Sequence, residues 1–137
     1  MNVPVTIDAS VFVSAFTPTE PAHQVSNAFM LSVREQNIPI IVPILVLPEI
    51  SAALSRGQGK PKLGLAFVQE IRNFPNATFV DVNESIANLA VEIAADHRLR
   101  GSDAVYAAVA LRFGTELITL DREQLARLPK VLAVRGP

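Results

Sequence analysis

The chain has 137 residues, of which 50% are hydrophobic and 18% charged, and its net charge is −1 at pH 7. This length suits one domain, the composition excludes an intrinsically disordered chain, and the near-neutral charge excludes a global basic field for nucleic acid, so such a partner would need a local patch. Because the sequence contains no cysteine, disulfide scaffolds, thiolate zinc sites and cysteine nucleophiles are excluded as well.

Short apolar runs alternate with helical patterns along the chain. Runs rich in β-branched and aliphatic residues predict five strands, at residues 5–7, 38–42, 78–82, 117–120 and 131–134. Apolar residues at helical spacing predict three helices, each with one apolar face. These faces carry Val25, Phe29 and Val33 on the first helix, Phe67, Val68, Ile71 and Phe74 on the second, and Ile86, Leu89, Ala90, Ile93 and Ala94 on the third. This alternation predicts an α/β domain with a mostly parallel sheet.

Two further segments are informative. Residues 103–113 are apolar nearly all round, which predicts a helix buried on most sides. The segment PILVLP at 43–48 leaves two possibilities open: a helix that starts at Pro43 and kinks at Pro48, or one that starts afresh at Pro48.

No segment predicts a membrane span. The longest apolar run, residues 38–48, contains three prolines and is far shorter than the roughly 20 residues that a spanning helix needs. The first ten residues lack the basic stretch of a signal peptide. Together with the absence of cysteine, this favours a cytoplasmic protein without a membrane partner.

Four acids stand where strands end or helices begin. Asp8 follows the first predicted strand, Glu49 lies on a helix after the second, Asp103 opens the buried helix and Asp121 follows the fourth strand. In a parallel sheet these positions meet at one edge, so we expect the four carboxylates to converge in one crevice. Such hard oxygen ligands suit Mg²⁺ or Mn²⁺ rather than Zn²⁺, and a metal of this kind supports phosphodiester hydrolysis.

Helix capping is the competing interpretation for each acid taken alone. Asp121 and Gln124 fit a D-x-x-Q capping box, and Ser102 is a good cap ahead of Asp103. Together, however, the four acids would form a partly buried cluster of like charges, which costs free energy unless protons or a cation neutralise it. The cluster therefore favours a cation site.

The segments TIDASVFVSAF, LPEISAALSR, LRGSDAVYAAVALRFG and LITLDREQL resemble, in order and spacing, the four acidic motifs of PIN domains. They are most similar to the VapC-type toxins of toxin–antitoxin pairs. The resemblance covers essentially the whole chain and implies one PIN-like domain over residues 1–137, folded as a three-layer α/β/α sandwich around a central parallel sheet. It also implies an endoribonuclease that uses Mg²⁺ or Mn²⁺ to cleave single-stranded or structured RNA. As the toxin of a type II system, the protein would form a homodimer and bind a cognate VapB-type antitoxin.

The resemblance assigns roles to particular residues. Asp8 and Asp103 would be the principal metal ligands, Glu49 would position water or a second ion, and Asp121 would complete the catalytic, metal-binding pocket. Small hydroxyl residues match the positions beside these acids, and they would support them as hydrogen-bond donors: Ser10 and Thr119.

Two basic stretches could hold the RNA backbone. They comprise Arg56, Lys60 and Lys62, and then Arg98 and Arg100 just before Asp103. If the fold is PIN-like, both could approach the carboxylate edge and contact phosphates. The alternative for both is an ordinary solvated surface.

Other protein classes fit less well. A HAD-like phosphatase carries a D-x-D pair, but Ser10 stands two residues after Asp8. A receiver domain needs an acidic pair before the first strand's Asp and a suitably placed lysine; no such pair exists here, and Lys130 is poorly placed. A non-toxin PIN nuclease in RNA processing and a catalytically silent PIN scaffold remain open, although a silent scaffold would typically have lost some of the four acids.

Overall fold

The computed structural model describes residues 3–137, and for Gln58 the backbone alone. Met1 and Asn2, with which the predicted domain begins, lie outside the described residues. The strands are β1 (Val5–Ile7), β2 (Ile40–Pro43), β3 (Ala77–Val80), β4 (Glu116–Ile118) and β5 (Val134–Arg135). The helices are α1 (Ala9–Phe16), α2 (His23–Glu35), α3 (Val46–Gln58), α4 (Pro61–Arg72), α5 (Glu84–His97), α6 (Gly101–Phe113) and α7 (Arg122–Arg127).

The five strands form one sheet in the order β3-β2-β1-β4-β5, and every pair is parallel. Right-handed crossovers place α1 to α4 on one face of such a sheet and α5 to α7 on the other. In agreement, α1 packs on α3, while α5 packs on α6 and α6 covers β1, β2 and β4. The predicted α/β/α sandwich around a parallel sheet is confirmed.

The core forms where the sheet meets α6. All three residues of β1 are buried, as expected for a central strand covered on both faces. Helix α6 carries four alanines that are no more than 1% exposed, and these small side chains let its backbone approach the sheet closely. The prediction of a helix buried on most sides is therefore confirmed for residues 103–110, whereas Leu111 and Phe113 near its end are exposed.

The two alternatives for the PILVLP segment are both wrong. Pro43 ends β2, where it pairs with Val80, and α3 begins at Val46. Pro48 is the third residue of α3. Backbone N–H groups in the first turn of a helix have no partner within the helix, so a proline is tolerated there without a kink.

The first strand has the predicted bounds, whereas the ends of the other four shift by one to three residues, and α2 buries a different face from the one predicted. Strand β5 begins only at Val134, because the backbone N–H groups of Val131 and Leu132 both bond to the carbonyl of Leu128 and extend the turn after α7. On α2 the buried residues are Ser26, Met30 and Val33, and Val25 is 48% exposed. The helix is thus rotated from the predicted face.

In the described part of the chain, no helix has the length and apolar character needed to cross a bilayer.

The strand order creates a crevice at one edge of the sheet. After β1 the chain moves to β2 on one side, whereas after β4 it moves to β5 on the other side. Neighbouring strands whose connections diverge in this way leave an opening beyond their carboxyl ends, where open α/β sheets bind ligands. Asp8 and Thr119 directly follow β1 and β4 at this point.

Candidate active site at the carboxyl edge of the sheet

All four predicted acids line one crevice of about 870 Å³ beyond the carboxyl ends of β1 and β4. Asp8 comes from the β1–α1 junction, Glu49 from the first turn of α3, Asp103 from the first turn of α6 and Asp121 from the β4–α7 connection. The fold therefore brings together carboxylates that lie up to 113 positions apart in the chain.

Asp8 is held by two hydroxyl groups. It is 6% exposed, and its Oδ2 accepts hydrogen bonds from Ser10 Oγ at 2.7 Å and from Thr119 Oγ1 at 2.9 Å. The backbone N–H groups of Leu120 and Asp121 in turn donate to these two hydroxyl oxygens. Although Asp8 precedes α1, its side chain makes no capping bond. Its side chain is fixed in the crevice by this network rather than by the helix end.

Glu49 is oriented by a tyrosine. The hydroxyl of Tyr106 donates to Glu49 Oε1 at 2.6 Å, and Tyr106 is fully buried within α6. Tyr106 lies one helical turn after Asp103. One helix thus contributes an acid to the crevice and fixes the orientation of another.

Asp103 and Asp121 share an arginine. Arg100 Nε donates to Asp103 Oδ2 at 3.0 Å, and Arg100 Nη2 donates to Asp121 Oδ2 at 3.1 Å. The other oxygen of Asp121 accepts the backbone N–H of Gln124. Asp121 therefore caps α7 as predicted, alongside its place in the crevice, but the capping box is incomplete, because the backbone N–H of Asp121 donates to Thr119 and not to the side chain of Gln124. Ser102, by contrast, is not the cap of α6, because it is the second helical residue and Arg100 holds the capping position.

The crevice disfavours charged carboxylates. Burial raises the pKa of Asp8 above its ordinary value, although the Ser10 and Thr119 hydroxyls partly offset this, and Asp121 adds repulsion. Burial likewise raises the pKa of Glu49, against the hydrogen bond from Tyr106, and Asp8 and Asp103 raise it further. The pKa of Asp103 is also raised by burial despite its contact with Arg100. Protons or a cation would relieve the repulsion among these groups.

The donor set fits a hard divalent cation. Among the described residues, no three His, Cys, Asp or Glu side chains come together closely enough to surround an ion. Mg²⁺ is ordinarily held by one or two carboxylates, with water and substrate phosphate as its remaining ligands. The carboxylate and hydroxyl oxygens of this crevice suit that mode of binding, and they do not form a closed protein cage.

The predicted basic residues separate into two groups. Arg56 and Arg100 line the crevice. Lys60 and Lys62 lie at the start of α4, outside the crevice lining. Arg98, which directly follows α5, also lies outside the crevice lining; its backbone is left-handed, and its carbonyl accepts a hydrogen bond from Arg127.

Sequence reasoning did not identify Arg122 or Tyr106, of which only Arg122 lines the crevice. The position of Arg122 directly after Asp121 was the available signal. Tyr106 was given no role at the site, whereas its hydroxyl donates a hydrogen bond to Glu49. Its spacing of three residues from Asp103 hinted at the same helix face, but no local signal identified its partner.

The PIN-domain family model matches residues 5–131 of the chain, which include all four acids. Among curated proteins, none matches the sequence.

Solved structures share the fold. The toxin VapC20 of Mycobacterium tuberculosis, described as cleaving the sarcin-ricin loop, superposes with a TM-score of 0.78 and 19% identity, over 97% of this chain and 99% of that one. A toxin–antitoxin complex from Klebsiella pneumoniae superposes with a TM-score of 0.66 and 17% identity, over 97% of each chain. VapBC2 of Rickettsia felis, bound to a DNA fragment from its promoter, superposes with a TM-score of 0.71 and 15% identity, over 97% of this chain and 98% of that one. At these identities the likeness extends to the fold alone.

Proposed function

Because the chain belongs to the PIN-domain family, we propose that it is a metal-dependent endoribonuclease that cleaves single-stranded or structured RNA. The observation that carries the proposal is the convergence of Asp8, Glu49, Asp103 and Asp121 on one crevice at the divergence point of β1 and β4. Phosphodiester hydrolysis needs charge stabilisation and a reactive water at such a site. The whole of residues 1–137 would act as one PIN-like domain.

Asp8 and Asp103 would hold Mg²⁺ or Mn²⁺ as the principal ligands, with Glu49 and Asp121 beside them. A bound ion of this kind orients the phosphate, lowers the pKa of a water molecule and stabilises the leaving oxygen. The protein's own part is to keep the carboxylates oriented: Ser10 and Thr119 fix Asp8, and Tyr106 fixes Glu49.

Arg56 and Arg122 supply positive charge on the crevice wall. Arginines at such positions suit contacts with a phosphate backbone, which positions a nucleic acid irrespective of its sequence. We assign RNA contacts to these two residues, and assign Lys60, Lys62 and Arg98 no more than a contribution from outside the crevice.

The proposed biological role is that of the toxin in a type II toxin–antitoxin system, acting in the cytoplasm. Support comes from structurally similar proteins that are described as a toxin and as a toxin–antitoxin complex. The partners would be an RNA substrate, a cognate VapB-type antitoxin and a second copy of the chain in a homodimer.

RNA cleavage by purified protein tests the enzymatic proposal. Wild type should cleave RNA with Mg²⁺ or Mn²⁺ and not in EDTA, and Asp8→Asn and Asp103→Asn should each lose activity by orders of magnitude while remaining folded. Asp81→Asn is a matched control, because exposed Asp81 also follows a strand but does not line the crevice. Full activity in either crevice variant would contradict the proposal, and a wild type that cleaves nothing would favour a silent scaffold.

Expression in a bacterial host tests the toxin role separately. Wild type should arrest growth, and Asp8→Asn should relieve the arrest. A wild type that cleaves RNA in vitro yet leaves growth unaffected would favour a non-toxin PIN nuclease.

A further inference from the structure

Arg100 joins two crevice acids that come from different parts of the fold. Asp103 belongs to the first turn of α6, and Asp121 belongs to the connection between β4 and α7. The guanidinium of Arg100 contacts Oδ2 of both, through Nε at 3.0 Å and Nη2 at 3.1 Å. The planar, forked shape of a guanidinium suits such a bridge, whereas the compact ammonium group of a lysine does not.

The arginine covers the acids from the solvent side. Its side chain is 71% exposed, whereas those of Asp103 and Asp121 are 8% and 20% exposed. In the described part of the chain, the hydrogen bonds of its side chain go to these two carboxylates alone. An exposed side chain held in this way can turn away into solvent without breaking other side-chain hydrogen bonds.

A divalent cation and Arg100 would be drawn to the same oxygens. Two positive groups within a few ångströms of each other repel strongly, above all beside partly buried carboxylates. Simultaneous occupation is therefore unfavourable unless the arginine moves.

We propose that Arg100 is a positioning residue that holds Asp103 and Asp121 together in the metal-free protein and leaves them when a divalent cation binds. Its charge thus competes with the metal, and its contact with the acids is distinct from the RNA contact expected for this residue from the sequence. The inference rests on the proposed metal-dependent function. It adds that the guanidinium of Arg100 is displaced from the two carboxylates when the divalent cation binds.

Arg122 offers a matched control. It has the same charge and lines the same crevice, and among the described residues it takes part in no ion pair. Arg122→Gln therefore removes one positive charge from the surroundings without breaking a contact to the acids. Arg100→Gln removes the same charge and both contacts, and Arg100→Lys keeps the charge but loses the bridge.

Calorimetric titration with Mn²⁺ in the absence of RNA, together with thermal melts in EDTA, tests the proposal. Arg100→Gln should bind Mn²⁺ about fivefold more tightly than wild type, the change expected when two partly exposed ion pairs no longer compete. The Mn²⁺ affinity of Arg122→Gln should stay within about twofold of the wild-type affinity, as expected for the loss of one screened charge. The affinity of Arg100→Lys should lie between those of the two Gln variants. In EDTA, Arg100→Gln should melt below Arg122→Gln, because the carboxylates lose their counterion.

The possible failures can be distinguished. Equal Mn²⁺ affinity in the two Gln variants, or weaker binding by Arg100→Gln, would overturn the competition and indicate that the arginine stays beside the metal. A wild type that binds no Mn²⁺ would instead overturn the metal dependence of the proposed function, and this inference with it.

Discussion

The hydroxyl of Tyr106 donates a hydrogen bond to Oε1 of Glu49 across 2.6 Å, and so ties α6 to α3. Burial, together with the neighbouring carboxylate, raises the pKa of Tyr106, so the hydroxyl remains a donor. Because a donor favours the charged form of its acceptor, this contact keeps a half-buried carboxylate closer to ionisation than its surroundings alone would allow.

Tyr106→Phe should weaken the site through Glu49. The substitution removes one hydroxyl from a fully buried ring and leaves the packing in place. We expect a loss of unfolding free energy of about 1 kcal/mol, typical of one hydrogen bond, and a clear reduction in Mn²⁺ affinity. A double-mutant cycle with Glu49→Gln is the measurement. If Tyr106→Phe lowers Mn²⁺ affinity equally in both backgrounds, it does not act through Glu49.

Thr119→Val should destabilise the metal-free protein. Thr119 is fully buried, and its hydroxyl donates to Asp8 while accepting the N–H of Asp121. Valine of similar shape leaves both groups without this partner, which costs about 1–3 kcal/mol of unfolding free energy. Thr119→Ser keeps the hydroxyl and is the control in urea denaturation with EDTA. Equal losses in the two variants would mean that the methyl group, and not the hydroxyl, matters at this position.

The hydrophobic pattern of the sequence was enough to predict an α/β domain with a mostly parallel sheet and a crevice at one edge of that sheet, whereas the three-layer arrangement was implied by the family resemblance. Asp8 follows a short run of β-branched residues and Asp103 opens an apolar helix, so the local pattern places both on the fold. Once strands and helices alternate, parallel pairing brings the ends of β1 and β4 to one edge. The positions of these acids in the fold can therefore be predicted from the strand or helix pattern of the residues next to them.

Side-chain partners depend on packing between distant segments, and these were not predictable. Arg100 and Asp121 are 21 positions apart, and Tyr106 and Glu49 are 57 apart. Similarly, Val25 and Ser26 lie on adjacent faces of α2, and the hydrophobic pattern favoured Val25 although the structure buries Ser26. Which face is buried depends on how the whole helix rests on its neighbours.

Arg56→Ala should reduce RNA affinity and its salt dependence more than Lys62→Ala does. Arg56 lines the crevice and exposed Lys62 lies outside it, although the sequence placed both in one basic stretch. Losing one phosphate contact to a single strand lowers the slope of log affinity against log salt by about 0.7. Fluorescence anisotropy with labelled RNA, in an Asp103→Asn background without cleavage, measures the slope. An unchanged slope for Arg56→Ala would return Arg56 to ordinary solvated surface.

Raised carboxylate pKa values affect stability as well as chemistry. Burial raises the folded-state pKa of Asp8, Glu49 and Asp103, with mutual repulsion adding to the shift. A folded state with raised pKa values binds more protons than the unfolded state as these groups titrate. Its stability therefore falls as pH rises from the unfolded pKa values towards the folded ones, and the full cost is present only above the folded values.

The metal-free protein should accordingly be stabilised by Asp8→Asn, and increasingly so as pH rises. Below its raised folded-state pKa, Asp8 is protonated and resembles asparagine; as pH rises through that pKa, only the wild type acquires the buried charge. Urea denaturation in EDTA at several pH values from 4 to 8 measures the difference in unfolding free energy between variant and wild type. Saturating Mn²⁺ should reverse the order, because a ligand at about 100 times its Kd adds about 2.7 kcal/mol to a protein that can bind it. An Asp8→Asn protein that loses stability relative to wild type as pH rises in EDTA, and a wild type indifferent to Mn²⁺, would show that Asp8 stabilises the fold as an anion and binds no metal.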